Sequence, residues 1–482
     1  MQRYTAPQIL KNKERDIDMD LLNRLVSVRP TPEQINWQTL EFYAFVHYGV
    51  NTYTDKEWGD GSEDPSIFNP SALDTDMWCE SFKKAGMKAV IITAKHHDGF
   101  CLFDSKYTKH SVMYSPYAKD IVAELAESCR KFGLKLGIYL SPWDQHDYRY
   151  GTGEQYDDFF CAQLTELMTN YGELFCLWFD GACGEGPNGK VQEYNWERYF
   201  ALIREMMPNA VIASMGPDVR WCGNEAGVCR ESEFSVVPKA IADIKLIQEM
   251  SQKEDDPDFA VIVNKRSVED IGSREAVKDV KDLCWYPAEV DYSIRPGWFY
   301  HASQNEKVHS FERLKTVYLQ SVGGNAAFLL NIPPNRDGLI HENDVKRLAE
   351  LGDWIRESFS VNLLENASFA ASDTEDGFDA AMINKGTWKS CEDSQAPWVE
   401  AITYEPVSPK YLVLQEDISF SQRIEGFTLS CMKDDVWTEV CKGTVVGYKR
   451  ISPIDVQVTS DRWKLEINSC RLGATLKSFY LY

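Results

Sequence analysis

Apolar runs short enough for strands recur along the first half of the chain: EFYAFVHY (41–48), MKAVIITAKHH (87–97), LKLGIYLSPW (134–143), ELFCLWFD (173–180) and NAVIAS (209–214). Between them the apolar positions switch to helical spacing and end in glycine, as in LDTDMWCESFKKAG (73–86), DIVAELAESCRKFG (120–133) and YDDFFCAQLTELMTNYG (156–172). A terminal glycine suits the left-handed residue that closes many helices. Strand and helix in alternation predict βαβ units and a parallel sheet. The spacing of the runs, a further one at GGNAAFLLNIPP (323–334) and a closing helix near 343–358 predict an α/β fold with a (β/α)8-type, TIM-like barrel. No GxGxxG follows the first strand, which disfavours an open dinucleotide-binding sheet. Beyond about residue 360 the period changes to short alternating strands (KYLVLQEDI, RIEGFTLSC, WTEVCKGTVV, RWKLEINSC, LKSFYLY), the pattern of an antiparallel β-sandwich. The expected division is 1–358, a (β/α)8-like domain with an N-terminal extension, and 359–482, a C-terminal sandwich.

Composition narrows the functional classes. The 482 residues are 44% hydrophobic and 26% charged, enough for a large core and two domains. No apolar run reaches the ~18 residues of a membrane span, so membrane insertion is not expected. A formal charge of −23 would repel phosphate backbones and anionic bilayers, so nucleic acid is not expected as a partner either. The 13 cysteines form no CxxC pair or Cys/His ligand spacing and read as free thiols, several of them buried. The N-terminus MQRYTAPQILKNKERD has no apolar signal core. The expected setting is a bacterial periplasmic or secreted protein without its signal, or else a cytoplasmic one; a monomer or weak homo-oligomer is expected.

In a (β/α)8 barrel the chemistry sits at the C-terminal ends of the strands. The first run ends at His47, the second at His96 and His97, the third at Tyr139 with Trp143 soon after, and the fourth at Trp178 and Asp180. A metal site at His96-His97-Asp98 is disfavoured, because neighbours on a strand point to opposite faces and no third ligand stands out. Asp180 closes LFCLWFD ahead of Gly181 and Ala182, a position for a nucleophile at the barrel mouth or for a helix cap. Glu225, in RWCGNEAG, has Trp221 nearby to desolvate it and raise its pKa as a proton donor requires. On chemistry alone Glu57, Glu231, Glu233 and Glu289 compete with it for that role. Retaining glycoside hydrolysis needs two carboxyl groups about 5 to 5.5 Å apart, and Asp180 with Glu225 is the favoured pair. Such chemistry calls for no metal and no organic cofactor.

The segments FVHYGVNTYTDKEWG (45–59), AKHHDGFCLFDS (94–105), GIYLSPWD (137–144), LWFDGA (177–182) and FLLNIPPNRDGLI (328–340) resemble glycoside hydrolase family 29, the α-L-fucosidases, along nearly the whole chain. The resemblance implies Asp180 as nucleophile and Glu225 as acid/base. It also implies that His47, Glu57, Trp58, His96, His97, Tyr139 and Trp178 hold the fucose, with Trp298 beside its methyl group. An arginine of this family's pocket could be Arg220, Arg230 or Arg295. NTYTDKEWG, RWCGNEAG and SIRPGWFYH (293–301) are more similar to the subgroup restricted to α-1,3 and α-1,4 linkages than to the broad subgroup. The implied partner is therefore a fucosylated, Lewis-type oligosaccharide or glycoconjugate. The C-terminal sandwich resembles galactose-binding-like modules, with packing against the barrel its expected role.

Overall fold

The computed structural model describes residues 18–252, 262–263 and 265–482. Strands β1 (Phe42–Val46), β2 (Ala89–Lys95), β3 (Lys135–Leu140), β4 (Leu174–Phe179), β5 (Val211–Ser214) and β6 (Arg220–Trp221) come first. A small antiparallel pair follows, β7 (Val236–Pro238) with β8 (Leu283–Trp285), then β9 (Ala288–Ser293) and β10 (Ala326–Asn331). Eight of these form one parallel sheet in the order β5-β4-β3-β2-β1-β10-β9-β6. Its two ends meet through a single parallel bridge, Ala213 to Val219, which curls the sheet into a TIM-like near-barrel.

Side-chain parity splits the strands between two cores. Phe42, Ala44 and Val46 pack outward, with Ile138, Leu140, Leu177 and Phe179, into the layer between sheet and helices. Tyr43, Phe45, Tyr139, Cys176, Trp178 and Leu329 point inward and fill the barrel with Trp37, whose indole Nε1 donates to the Tyr43 hydroxyl at 3.0 Å. The helices run where helical spacing predicts them, Thr75–Ala85, Ile121–Phe132 and Glu154–Asn170 among them. The first two end on Gly86 and Gly133 in the left-handed conformation.

The helix Glu342–Phe359 is followed by antiparallel sheets, the largest ordered Ser368–Ala371, Trp398–Val407, Ser460–Cys470, Ile424–Lys433, Val436–Gly443. This region has a core of its own around Trp388, Phe427, Trp463 and Phe479. It is tied to the barrel by polar contacts: Ser235 N donates to Gln422 Oε1 (2.7 Å), Arg471 Nη2 to Gly272 O (2.7 Å) and Tyr448 N to Asn325 Oδ1 (2.7 Å). All 13 cysteines are free thiols. Among the described residues no helix is long and apolar enough to cross a membrane.

Candidate active site

An open cavity lies at the C-terminal ends of the barrel strands. It is lined by His47, Glu57, Trp58, His96, His97, Tyr139, Trp178, Asp180, Glu225 and Trp298, so the favoured carboxyl pair and the eight residues expected to hold the sugar meet at one place. Phe45, Ser214, Trp221, Ser251 and Asp291 join them.

Asp180 follows β4 directly, and no helix starts there; the next described helix, Trp196–Met206, is capped by Asn195. Its two oxygens accept from the Tyr139 hydroxyl (3.0 Å) and from Ala182 N (2.9 Å), which fixes the carboxylate at the rim. Gly181 beside it lets Ser251 approach closely: a Cβ at that position would stand 2.0 Å from Ser251 Oγ, which would have to shift.

Glu225 sits in the loop after β6, where the Trp298 indole Nε1–H donates to its Oε2 at 2.9 Å. Burial pushes its pKa up to about 8, helped by the negative neighbours Asp180 and Glu57 and opposed by the indole hydrogen bond. It therefore carries a proton at neutral pH. Trp221, expected to desolvate Glu225, lines the same cavity and donates its Nε1 hydrogen to Asp291 Oδ1 (2.7 Å), while the hydrogen bond to Glu225 comes from Trp298. Two loops distant in sequence converge there, which local spacing cannot reveal.

The competing carboxyls are engaged elsewhere. Glu57 accepts Trp298 N (2.8 Å) and Phe299 N (3.3 Å) on one oxygen and faces His301 Nε2 (2.6 Å) with the other. Glu289 lies deeper in the barrel, held by the Tyr43 hydroxyl and by Trp178 Nε1 (2.7 Å). Glu233 is paired with Arg220 and with Arg230 (3.4 Å), and Glu231 is exposed. Of the three candidate arginines, then, Arg220 and Arg230 face Glu233 and Arg295 pairs with Asp344 (2.8 Å); none lines this cavity.

The histidines are neutral acceptors. Burial pushes His47 down to about 3 and His97 down to about 4, and holds His96 well below the usual range. His47 Nδ1 faces Asn331 Oδ1 at 2.9 Å, so the proton sits on Nδ1 and the Nε2 lone pair is left for a ligand. Ser141 Oγ donates to Trp143 O (2.7 Å) and so accepts from His97 Nδ1 (2.7 Å), which leaves His97 Nε2 as an acceptor too, 3.9 Å from Asp180 Oδ2. Such a wall suits hydroxyl donors. His96 and His97 both face the cavity, with ring centroids 4.1 Å apart, against the expectation of opposite faces. β2 ends at Lys95, so strand alternation no longer governs the pair. Among the described residues, no three His, Cys, Asp or Glu side chains converge as a metal-ligand set.

Asp291 is the polar residue that sequence reading missed. It lies two positions after Glu289 on β9 and faces the same interior; strand parity applied to Glu289 would have found it. Ser251 and Gln252 come from the end of the helix Ile244–Met250 and left no signal in the sequence.

A donor-held carboxylate beside a half-buried, protonated carboxyl, in a pocket walled by indoles and neutral imidazoles, defines a glycoside hydrolase site. The chain belongs to the α-L-fucosidase family, glycoside hydrolase family 29, whose model matches residues 26–358. Alpha-L-fucosidase 1 of Arabidopsis thaliana is 39% identical over 467 residues, spanning 94% of this chain and 87% of that one. The solved structure of a glycoside hydrolase 29 family member from an unknown rumen bacterium is 33% identical, with a TM-score of 0.76 over 94% of this chain and 77% of that one. A Ruminococcus gnavus GH29 fucosidase in complex with fucose is 26% identical, with a TM-score of 0.78 over 94% and 95% of the two chains. The activity is that of an α-L-fucosidase.

Proposed function

We propose that this α-L-fucosidase releases terminal L-fucose with retention, Asp180 acting as nucleophile and Glu225 as acid and then base, and that its substrates are α-1,3/1,4-fucosylated, Lewis-type glycans. The observation that carries the reading is the contrast between the two carboxyls. Asp180 accepts one hydrogen bond on each oxygen, which orients the carboxylate and leaves a lone pair to attack, whereas desolvation holds Glu225 protonated up to about pH 8. In the first step an Asp180 oxygen bonds to the anomeric carbon, the glycosidic C–O bond breaks, and the Glu225 proton goes to the departing oxygen. In the second, Glu225 takes a proton from water, the water oxygen bonds to the anomeric carbon, and Asp180 is released. His47, His97 and Glu57 offer acceptors to fucose hydroxyls, while Trp58, Trp178 and Trp298 offer apolar surface to the ring and methyl group. The fucose bound in the R. gnavus relative supports a sugar of this size in the corresponding pocket.

Support for the linkage preference comes from the meeting of NTYTDKEWG and SIRPGWFYH, where Glu57 from the first holds the backbone of Trp298 and Phe299 from the second. The two segments most similar to the restricted subgroup thus build one edge of the mouth together. The test is release of fucose from Lewis a, Lewis x, 2′-fucosyllactose and 4-nitrophenyl α-L-fucoside, with Asp180→Asn as blank. Release mainly from the two Lewis trisaccharides is expected. Comparable release from all four would assign the chain to the broad subgroup instead.

A further inference from the structure

Behind Glu57 stands a second, uninterrupted line of polar groups that the reaction itself does not use. Asp55, the C-terminal cap of the short helix Val50–Thr54, and Glu57 both come from the connection after β1, and His301 from the segment after β9 reaches between them. His301 Nδ1 is 2.8 Å from Asp55 Oδ1, and His301 Nε2 is 2.6 Å from Glu57 Oε1. Carboxylate oxygens only accept here, so both contacts are satisfied at once only when both ring nitrogens carry protons, that is, when the imidazole is a cation. The other Glu57 oxygen takes Trp298 N and Phe299 N, so the same carboxylate is pinned by the peptide that carries the Glu225-binding indole. Gly297 leaves room for this: a Cβ there would stand 2.1 Å from Glu57 Oε1. The outer end of the line is open to water, with the Asp55 side chain 58% exposed, whereas the His301 side chain is 11% exposed.

We propose that Asp55–His301–Glu57 is a positioning relay that holds Glu57 as an oriented acceptor for a sugar hydroxyl and locks the Trp298 segment to the loop after β1, with the charge on His301 as its titratable part. This rests on the fucosidase reading above. The charged groups facing the imidazole are Asp55 and Glu57. Lys56 turns to Asp60 (3.6 Å), and Arg295, on the His301 side, turns to Asp344 (2.8 Å). Hydrogen bonds to Glu57 and Asp55 hold the His301 pKa above 6.5 against its partial burial. A histidine whose folded pKa is raised makes its full contribution at low pH and loses it as pH rises through that value. Sugar affinity therefore falls on the alkaline side of His301, by a route separate from Glu225.

Two measurements test the relay. An NMR titration of the histidine Cε1 protons, with the His301 signal assigned by its absence in His301→Gln, is expected to give a pKa above 6.5 that drops in Asp55→Asn. Calorimetric titration with L-fucose from pH 5.5 to 8.5 is expected to show wild-type affinity falling about tenfold through the same pH, the scale of one charge-assisted hydrogen bond. Asp55→Asn shifts that fall to lower pH, and His301→Gln abolishes it while raising KM more than it lowers kcat. A His301 pKa at or below 6.5, or a fall that His301→Gln leaves in place, overturns the relay. Failure of the wild type to bind L-fucose at any pH overturns the fucosidase reading, and the NMR titration then judges the relay by itself.

Discussion

Glu225, half-buried in the barrel mouth, and Glu416, fully buried in the sandwich, both have raised pKa values, about 8 and about 7, and desolvation is the largest cause for each. Their surroundings differ. Glu416 accepts three backbone N–H groups, from Arg423 (2.7 Å), Ile424 (3.0 Å) and Gly447 (2.7 Å), and stitches three segments of the sandwich together. Glu225 has one indole donor and faces an open cavity. A shifted pKa thus marks burial, and a site is marked by what the carboxyl still has to offer. A glutamate held wholly by backbone N–H groups in a packed interior is structural, while one that turns its remaining lone pairs to a cavity is available for chemistry.

The two ends of the barrel mouth give the widest separation from the sandwich. Asp180→Asn removes the proposed attacking oxygen and little volume, so turnover on any fucoside is expected to drop by roughly three or more orders of magnitude with L-fucose binding largely kept. Near-wild-type turnover in that variant would remove Asp180 from the mechanism. Glu225→Gln is expected to cost roughly 100- to 10,000-fold on substrates with poor leaving groups and far less on activated aryl fucosides, with azide restoring turnover. Rescue by azide in Glu57→Gln, and not in Glu225→Gln, would transfer the acid role to Glu57. Glu416→Gln should behave in the opposite way. Its amide would point N–H at backbone N–H, costing on the order of 1–3 kcal/mol of stability by denaturant unfolding, with kcat unchanged. A loss of rate there without loss of stability would contradict the distinction between the two glutamates.

How far these regions were legible follows from what fills their strands. β1 to β5 and β10 carry apolar residues on both faces, because one side meets the helices and the other the barrel interior, and such runs stand out in a sequence. β9 does not stand out. Its inward face is Glu289, Asp291 and Ser293, so AEVDYS has the alternation of a half-exposed strand although all six residues are buried. β6, two residues long, carries no periodicity at all. The site polars at strand ends were readable because barrel geometry says where to look: His47, His96, Tyr139 and Asp180 each fall at the end of an apolar run. What stayed hidden was pairing between loops. Trp298 on Glu225, Trp221 on Asp291 and His301 on Glu57 each join residues more than 60 positions apart. Each could be inferred only once the barrel had closed.

The smallest expected effect tests that loop pairing most directly. The Trp298 indole N–H lowers the Glu225 pKa by stabilising its carboxylate, against the larger push from burial. In the proposed acid role only protonated Glu225 can donate to the leaving group, so kcat/KM should fall as pH rises through about 8. Trp298→Phe keeps an aromatic face near the sugar but removes the donor. The Glu225 carboxylate then loses a partner while its buried setting remains, so its pKa rises further and the alkaline limb of kcat/KM moves to higher pH. A neutral hydrogen bond of about 1 kcal/mol corresponds to a shift of roughly half to one pH unit. KM should rise a few-fold as the larger indole surface is lost. A limb that stays in place, with KM alone affected, would mean that Glu225 swings away from Trp298 in the working enzyme; a limb that moves to lower pH would mean that water enters beside Glu225 and that burial, more than the indole, governs its proton.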